Sequence, residues 1–196
     1  MAMPKQLVLP LDEATVRQVA VGERVVLTGT MYTARDAVHH YLAGGGASPC
    51  DLRNAVIYHC GPVVVRQGSD WRVIAAGPTT SSREEPYMAA LISRYSIRAV
   101  IGKGGMGEAT RQACREVGCL YLHAVGGAAQ VLADTIREVR GVHLLERFGA
   151  PEAMWELRVE EFPAVVTMDA RGESLHHDVL ARSRAAFAAL LGSPSA

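Results

Sequence analysis

The sequence predicts a mixed α/β domain of layered strands and helices. Three observations predict it. Strand-like runs outnumber helical ones, yet the two kinds interleave along the chain. Several strand candidates run straight into polar or glycine-rich loops that open helices. No Pro-, Gly- or Ser-rich stretch is long enough to divide two folding units, so residues 1–196 read as one domain with a frayed tail from about 192.

Composition sets the outer bounds. Apolar residues make up 49% of the chain and charged residues 20%, enough to build a core and too apolar for disorder. Twenty Lys+Arg balance twenty Asp+Glu, which leaves no basic surface for nucleic acid. A near-neutral chain also lacks the self-repulsion that keeps proteins apart, which suits association. No apolar run approaches the roughly 18 residues that span a bilayer. The start, Met1-Ala-Met-Pro-Lys-Gln-Leu-Val-Leu-Pro10, lacks the basic-then-apolar pattern of a signal peptide, so a cytoplasmic protein is expected. Cys50, Cys60, Cys114 and Cys119 form no C-x-x-C and read as small reduced residues; no metal site is expected in this chain.

Taken in order, residues 6–9 predict a short strand and residues 24–29 a stronger one. Gly29-Thr30 then turns into a helix over 31–42, with Ala34, Ala37, Val38, Tyr41 and Leu42 at helical spacing and Thr33 as N-cap. Gly44-Gly-Gly-Ala-Ser-Pro49 breaks it. Residues 54–60 predict a strand, and 63–66 with 71–76 a hairpin about Gly68-Ser-Asp70. Pro86 suits the first turn of a helix that runs to Tyr95. The stretch Ala99-Val-Ile-Gly-Lys-Gly-Gly-Met-Gly107 is a buried strand opening into a glycine loop; a helix over 108–117 follows and stops at Gly118. Next come a strand over 120–123, the turn Gly126-Gly127 and a short helix over 128–136. Residues 154–159 alternate, 162–169 read as a separate strand, and an alanine-rich helix covers 174–191.

Three loops carry the chemistry. The first holds Thr30, Tyr32, Thr33, Arg35 and Asp36; the second Thr79, Thr80, Ser81, Ser82 and Arg83; the third Lys103 among glycines. If they converge, two planar guanidinium forks and one ammonium suit a small dianion such as a dicarboxylate. Plainer readings stand beside this one. Arg35-Asp36 also fits a surface charge pair, and Thr-Thr-Ser-Ser also fits loop and cap chemistry. His39-His40 and His176-His177 read as core or solvated histidines, because a metal needs more ligands than adjacent histidines supply. Gly102-Lys-Gly-Gly-Met-Gly107 matches G-x-G-x-x-G after a strand and before a helix. That fingerprint calls for an acid about 20 residues further on. The next strand here ends His123-Ala-Val-Gly-Gly127 without one. A non-catalytic anion- or nucleotide-binding module therefore stands as an alternative. A Walker A loop fails, since Lys103 precedes its glycines and no Ser or Thr follows it.

Gly29-Thr-Met-Tyr-Thr-Ala-Arg-Asp-Ala-Val-His39, Gly77-Pro-Thr-Thr-Ser-Ser-Arg83 and Gly102-Lys-Gly-Gly-Met106 occur in the order found in class I fumarases. The chain resembles the C-terminal domain of those enzymes, or the β subunit of two-chain fumarate hydratases and L-tartrate dehydratases. Gly126-Gly-Ala-Ala129, Pro151-Glu-Ala-Met-Trp155 and Phe162-Pro-Ala164 also fit, and the likeness runs from about Leu9 to Val179. The resemblance implies a swivelling β/β/α domain of an iron–sulfur hydro-lyase acting on fumarate/malate, with tartrate- and mesaconase-type substrates as alternatives. It implies a [4Fe–4S] cluster on a separate α subunit, none on this chain, and an αβ pair doubled to a heterotetramer. It further implies that Arg35, Arg83 and Lys103 bind the substrate's carboxylates and that Thr79 handles the proton at carbon. An unaided threonine hydroxyl is a poor base at neutral pH, so Thr79 needs help from Lys103 or from the substrate. Asp36, Thr80 and Gly104 would support the site, Asp36 by orienting Arg35. Glu84-Glu-Pro86 departs from the family's Met-Asp-Pro-like pattern, which bears on substrate scope.

Overall fold

In the computed structural model, which describes residues 3–192, nine strands form: β1 (Lys5–Val8), β2 (Arg24–Thr33), β3 (Val56–Tyr58), β4 (Val63–Gln67), β5 (Asp70–Ala75), β6 (Ala99–Gly102), β7 (Leu120–His123), β8 (Ile136–His143) and β9 (Met154–Met168). The helices are α1 (Glu13–Arg17), α2 (Asp36–Ala43), α3 (Glu85–Tyr95), α4 (Glu108–Val117), α5 (Ala129–Ala133), α6 (Leu145–Phe148) and α7 (Leu175–Leu190). The expected tail lies at 193–196, outside the described residues. Among the described residues no helix is long and apolar enough to cross a membrane.

Seven strands form one sheet in the order β1-β2-β3-β6-β7-β9-β8, and β4-β5 make a separate hairpin. β1, β2, β3, β6 and β7 run parallel, joined by helical crossovers. β3 and β6 are buried at every residue, which explains their unbroken apolar runs. β9 runs antiparallel to β2, β7 and β8, so β2, β3, β6, β7 and β9 pair in a closed cycle.

One face carries Leu27, Met31, Tyr58, Ile101, Leu122, Trp155 and Phe162. The other faces α2, α3 and α4, where Val38, Leu42, Met88, Leu91 and Ala113 pack on Ile57, Val100 and Tyr121. The loops bearing Arg35 and Lys103 leave the C-terminal ends of parallel strands, the edge where α/β sheets bind ligands.

Three expectations are corrected. The helix expected over 31–42 begins only at Asp36, because Met31 and Tyr32 pair with Leu157 and Glu156 of β9. Thr33 is therefore no helix cap; its hydroxyl donates to Ala153 O at 3.4 Å and accepts from Trp155 N at 3.0 Å. The two strands expected at 154–159 and 162–169 are one, β9. Glu160 and Glu161 oppose the single residue Thr28, and Glu161 adopts φ 54°. This bulge resets the alternation, so Trp155, Leu157 and Val159 share a core face with Phe162, Ala164 and Val166. The helix expected over 128–136 ends at Ala133, and the strand β8 follows it. The hairpin, α3, α4, β7 and α7 lie where the sequence placed them, and all four cysteines are free.

Candidate active site

The second and third loops join through their backbones. Thr79 N donates to His59 O at 2.7 Å, Lys103 N to Thr79 O at 3.2 Å, and Ser81 N to Lys103 O at 3.0 Å. Thr80 and Lys103 thus form an isolated parallel bridge that extends the edge of β6. A Cβ on Gly102 would overlap the Ser81 hydroxyl, so glycine is what admits the second loop here. At Gly105, φ is 80° and a Cβ would lie 2.6 Å from the His176 ring. The two loops are locked around Lys103, with Gly104 beside Thr80.

Lys103 is half-buried and its aliphatic stem passes Gly126, whereas Arg83 is exposed on the turn Ser81–Glu84. Among the described residues, neither side chain forms an ion pair or hydrogen bond. The Thr79 hydroxyl is buried and likewise has no partner. Unsatisfied buried hydroxyls are uncommon, and this one lies on the loop whose backbone pairs with Lys103.

Arg35 caps the start of α2, but its guanidinium is engaged: Nε lies 3.1 Å from Glu152 Oε1, and a second nitrogen donates to Pro151 O at 3.4 Å. Glu152, not Asp36, is its ion-pair partner. Asp36 turns instead to Glu84, and a hydrogen bond from Glu84 holds its carboxyl below the usual range, with Arg35 and Arg83 assisting.

Behind these loops lies a buried polar chain that the sequence did not reveal. His39 Nδ1 sits 2.7 Å from Glu84 Oε2, and both side chains are 2% exposed. Burial pushes Glu84 up to about 9, with Asp36 and Glu152 adding to it, and pushes His39 down to about 4. Burial thus favours the uncharged form of each partner in this contact. The His39 ring meets His59 edge-on at 5.1 Å between centroids. His59 Nδ1 is 2.9 Å from Ser81 Oγ, which also accepts from the Tyr121 hydroxyl at 2.9 Å. Of the paired histidines, His39 is core, His176 half-buried, and His40 and His177 exposed.

Glu85 has a different task. Its carboxylate accepts from Gly107 N at 2.6 Å, Thr110 N at 3.1 Å and Thr110 Oγ1 at 2.8 Å. It supplies, from α3, the N-terminal cap that α4 lacks in its own sequence. Two of the amides at this helix start, where anions commonly bind, are already taken by a carboxylate. Glu85→Ala is expected to lower stability by about 1–3 kcal/mol, since two amides lose their acceptor. Urea unfolding checks this, and an unchanged midpoint would remove Glu85 from the cap.

Among the described residues, no three His, Cys, Asp or Glu side chains group to hold a metal. Burial pushes the Cys60 thiol up to about 12 and Cys119 well above its ordinary value, so neither is ready to ligate as thiolate.

Fold and motif order together place the chain in a known class: residues 5–179 match the model of the fumarase C-terminus, and the chain belongs to that family. A Geobacillus stearothermophilus protein with the provisional name fumarate hydratase class I is 55% identical over 87% of this chain. This chain spans only 33% of that relative's length. A Methanocaldococcus jannaschii protein, provisionally named L(+)-tartrate dehydratase subunit beta, is 37% identical over 86% of this chain and 89% of its own. The L(+)-tartrate dehydratase subunit beta of Escherichia coli K12 is 36% identical over 88% of this chain and 87% of its own.

Proposed function

We propose that this chain is the substrate-clamping β component of a cytoplasmic hydro-lyase that adds water to, or removes it from, a small dicarboxylate of the fumarate/malate type. L-tartrate and mesaconate are the alternative substrates. The observation that carries the reading is the backbone pairing that brings the loop of Thr79, with its unpartnered buried hydroxyl, and Arg83 against the glycine loop of Lys103 at the C-terminal edge of the sheet. The names of the relatives support the reaction class.

In this reading Arg83 and Arg35 hold the substrate's carboxylates by their planar forks, and Lys103 supplies a point charge between them. Thr79 Oγ1 faces the carbon that gains or loses a proton, and Lys103 favours negative charge there. Thr80 and Gly104 keep the loop in place. The [4Fe–4S] cluster implied by class I does not fit this chain's cysteines, so we assign it to an α partner. There it would supply a Lewis acid for the substrate's hydroxyl and carboxylate. The domain swivels against that partner, and the αβ pair doubles to a heterotetramer.

The test is anaerobic purification of the chain alone and with the cluster-bearing partner, followed by assays on fumarate, L-tartrate and mesaconate. The pair should turn over at least one of them, and the chain alone none. Iron–sulfur absorbance in the isolated chain after reconstitution would overturn the division of labour. Tight NAD or AMP binding by a pair inactive on every dicarboxylate would overturn the reaction class.

A further inference from the structure

Glu84 occupies a singular place in the fold. It follows Arg83 at the end of the turn Ser81–Glu84, and its side chain is buried against the first turn of α2, which begins beside Arg35. One carboxyl group therefore joins the Arg83 turn to the helix that starts beside Arg35. We propose that Glu84 is a positioning residue: held between Asp36 and His39, it latches the Arg35 loop to the Arg83 turn and sets the spacing of the two guanidinium groups that grip a dicarboxylate. The proposal rests on the site described under the proposed function and adds a residue that touches no substrate.

The hydrogen-bond pattern defines the latch. His39 Nδ1 and Glu84 Oε2 share a hydrogen bond of 2.7 Å between two buried side chains. Asp36 is the second partner of Glu84, and a hydrogen bond between the two carboxyl groups lowers Asp36 and raises Glu84, which favours the proton on Glu84. An ionised Glu84 has no proton to donate, and it faces Asp36 and Glu152 as a third negative charge in a buried setting. The groups packed around it are Asp36 and His39 from α2, Arg35 at the cap, Glu152 before β9, and Arg83 on its own turn. Of these, Arg35 favours its ionised form. The latch is closed while Glu84 is protonated and opens as pH rises past about 9.

The sign follows directly. Substrate grip is intact at neutral pH and weakens on the alkaline side, as a rise in KM rather than a fall in kcat. Gln is the test substitution of choice, because its amide N–H donates to Asp36 and its carbonyl accepts from His39, yet it cannot ionise. Glu84→Ala removes both bonds.

Two measurements decide it. In the partner-bound enzyme, Glu84→Ala should raise KM about tenfold with kcat changed less than about threefold, while Glu84→Gln restores KM and removes its alkaline rise. Infrared spectra of the full chain alone should show a protonated carboxylic acid at neutral pH that disappears above pH 9 in the wild type and is absent from Glu84→Gln. No carboxylic acid band at neutral pH, or an alkaline rise in KM that persists in Glu84→Gln, would overturn the proposal. The infrared readout needs no turnover. A pair inactive on all dicarboxylates with the band present would overturn the functional reading while upholding the neutral carboxyl contact.

Discussion

Lys103→Ala is expected to reduce kcat/KM of the partner-bound enzyme by about 10²–10³, the range for removing one charged group that stabilises developing charge. The size follows from placement. Among the described residues the Lys103 side chain has no partner to compensate for its loss, and the bonds that shape its loop are made by its backbone. Both ladder bonds at this residue use its backbone, from Lys103 N to Thr79 O and from Ser81 N to Lys103 O. The alanine variant should keep the wild-type unfolding midpoint, so the loss is one of chemistry rather than folding. Steady-state kinetics beside urea unfolding separates the two. Near-normal kcat/KM would remove Lys103 from the site.

Trp155→Ala is the largest expected stability effect, a loss of about 3–5 kcal/mol from emptying a large core position. Trp155 is fully buried, stacks edge-on against Trp71 at 5.2 Å between centroids, and donates from Nε1 to Ala150 O at 2.9 Å. It ties the β4-β5 hairpin, which lies outside the main sheet, to that sheet's longest strand. With total stabilities of about 5–15 kcal/mol for typical domains, the variant should sit near its threshold at 37 °C. Chemical denaturation measures this, and Trp155→Phe should recover part of the loss by refilling volume without the indole hydrogen bond.

The parts legible in the sequence are those decided locally. Helix α4 runs over the residues expected, Glu108–Val117, because Gly118 takes the left-handed conformation that ends it. The hairpin turn at Gly68 and the proline-started α3 follow the same logic. What was not legible was decided at a distance. Met31 and Tyr32 carry a helical pattern, but pairing with Leu157 and Glu156 overrides it. Strand β8 is an edge strand bearing Arg137, Glu138 and Arg140, so charge hides its alternation.

At the site, the glycines around Lys103 and the hydroxyls at 79–81 announced themselves. The partnership of Glu84 with His39 did not, because nothing local distinguishes a buried neutral glutamate from a solvated one. The only sign was that Glu84-Glu85 broke the expected pattern after Arg83, and each acid proved to have a separate partner.

The carboxylate of Glu85 on the start of α4 bears on what this protein can ignore and what it can become. Cells are crowded with nucleotides and free phosphate, and a vacant helix start is an open berth for them. Here the berth is filled from within, by a group that cannot diffuse away. A free anion arriving at this helix start would have to displace that tethered carboxylate. The cap is separate from Arg35, Thr79 and Arg83, the side chains proposed to meet a diacid, so substitutions at those three positions leave the helix start occupied.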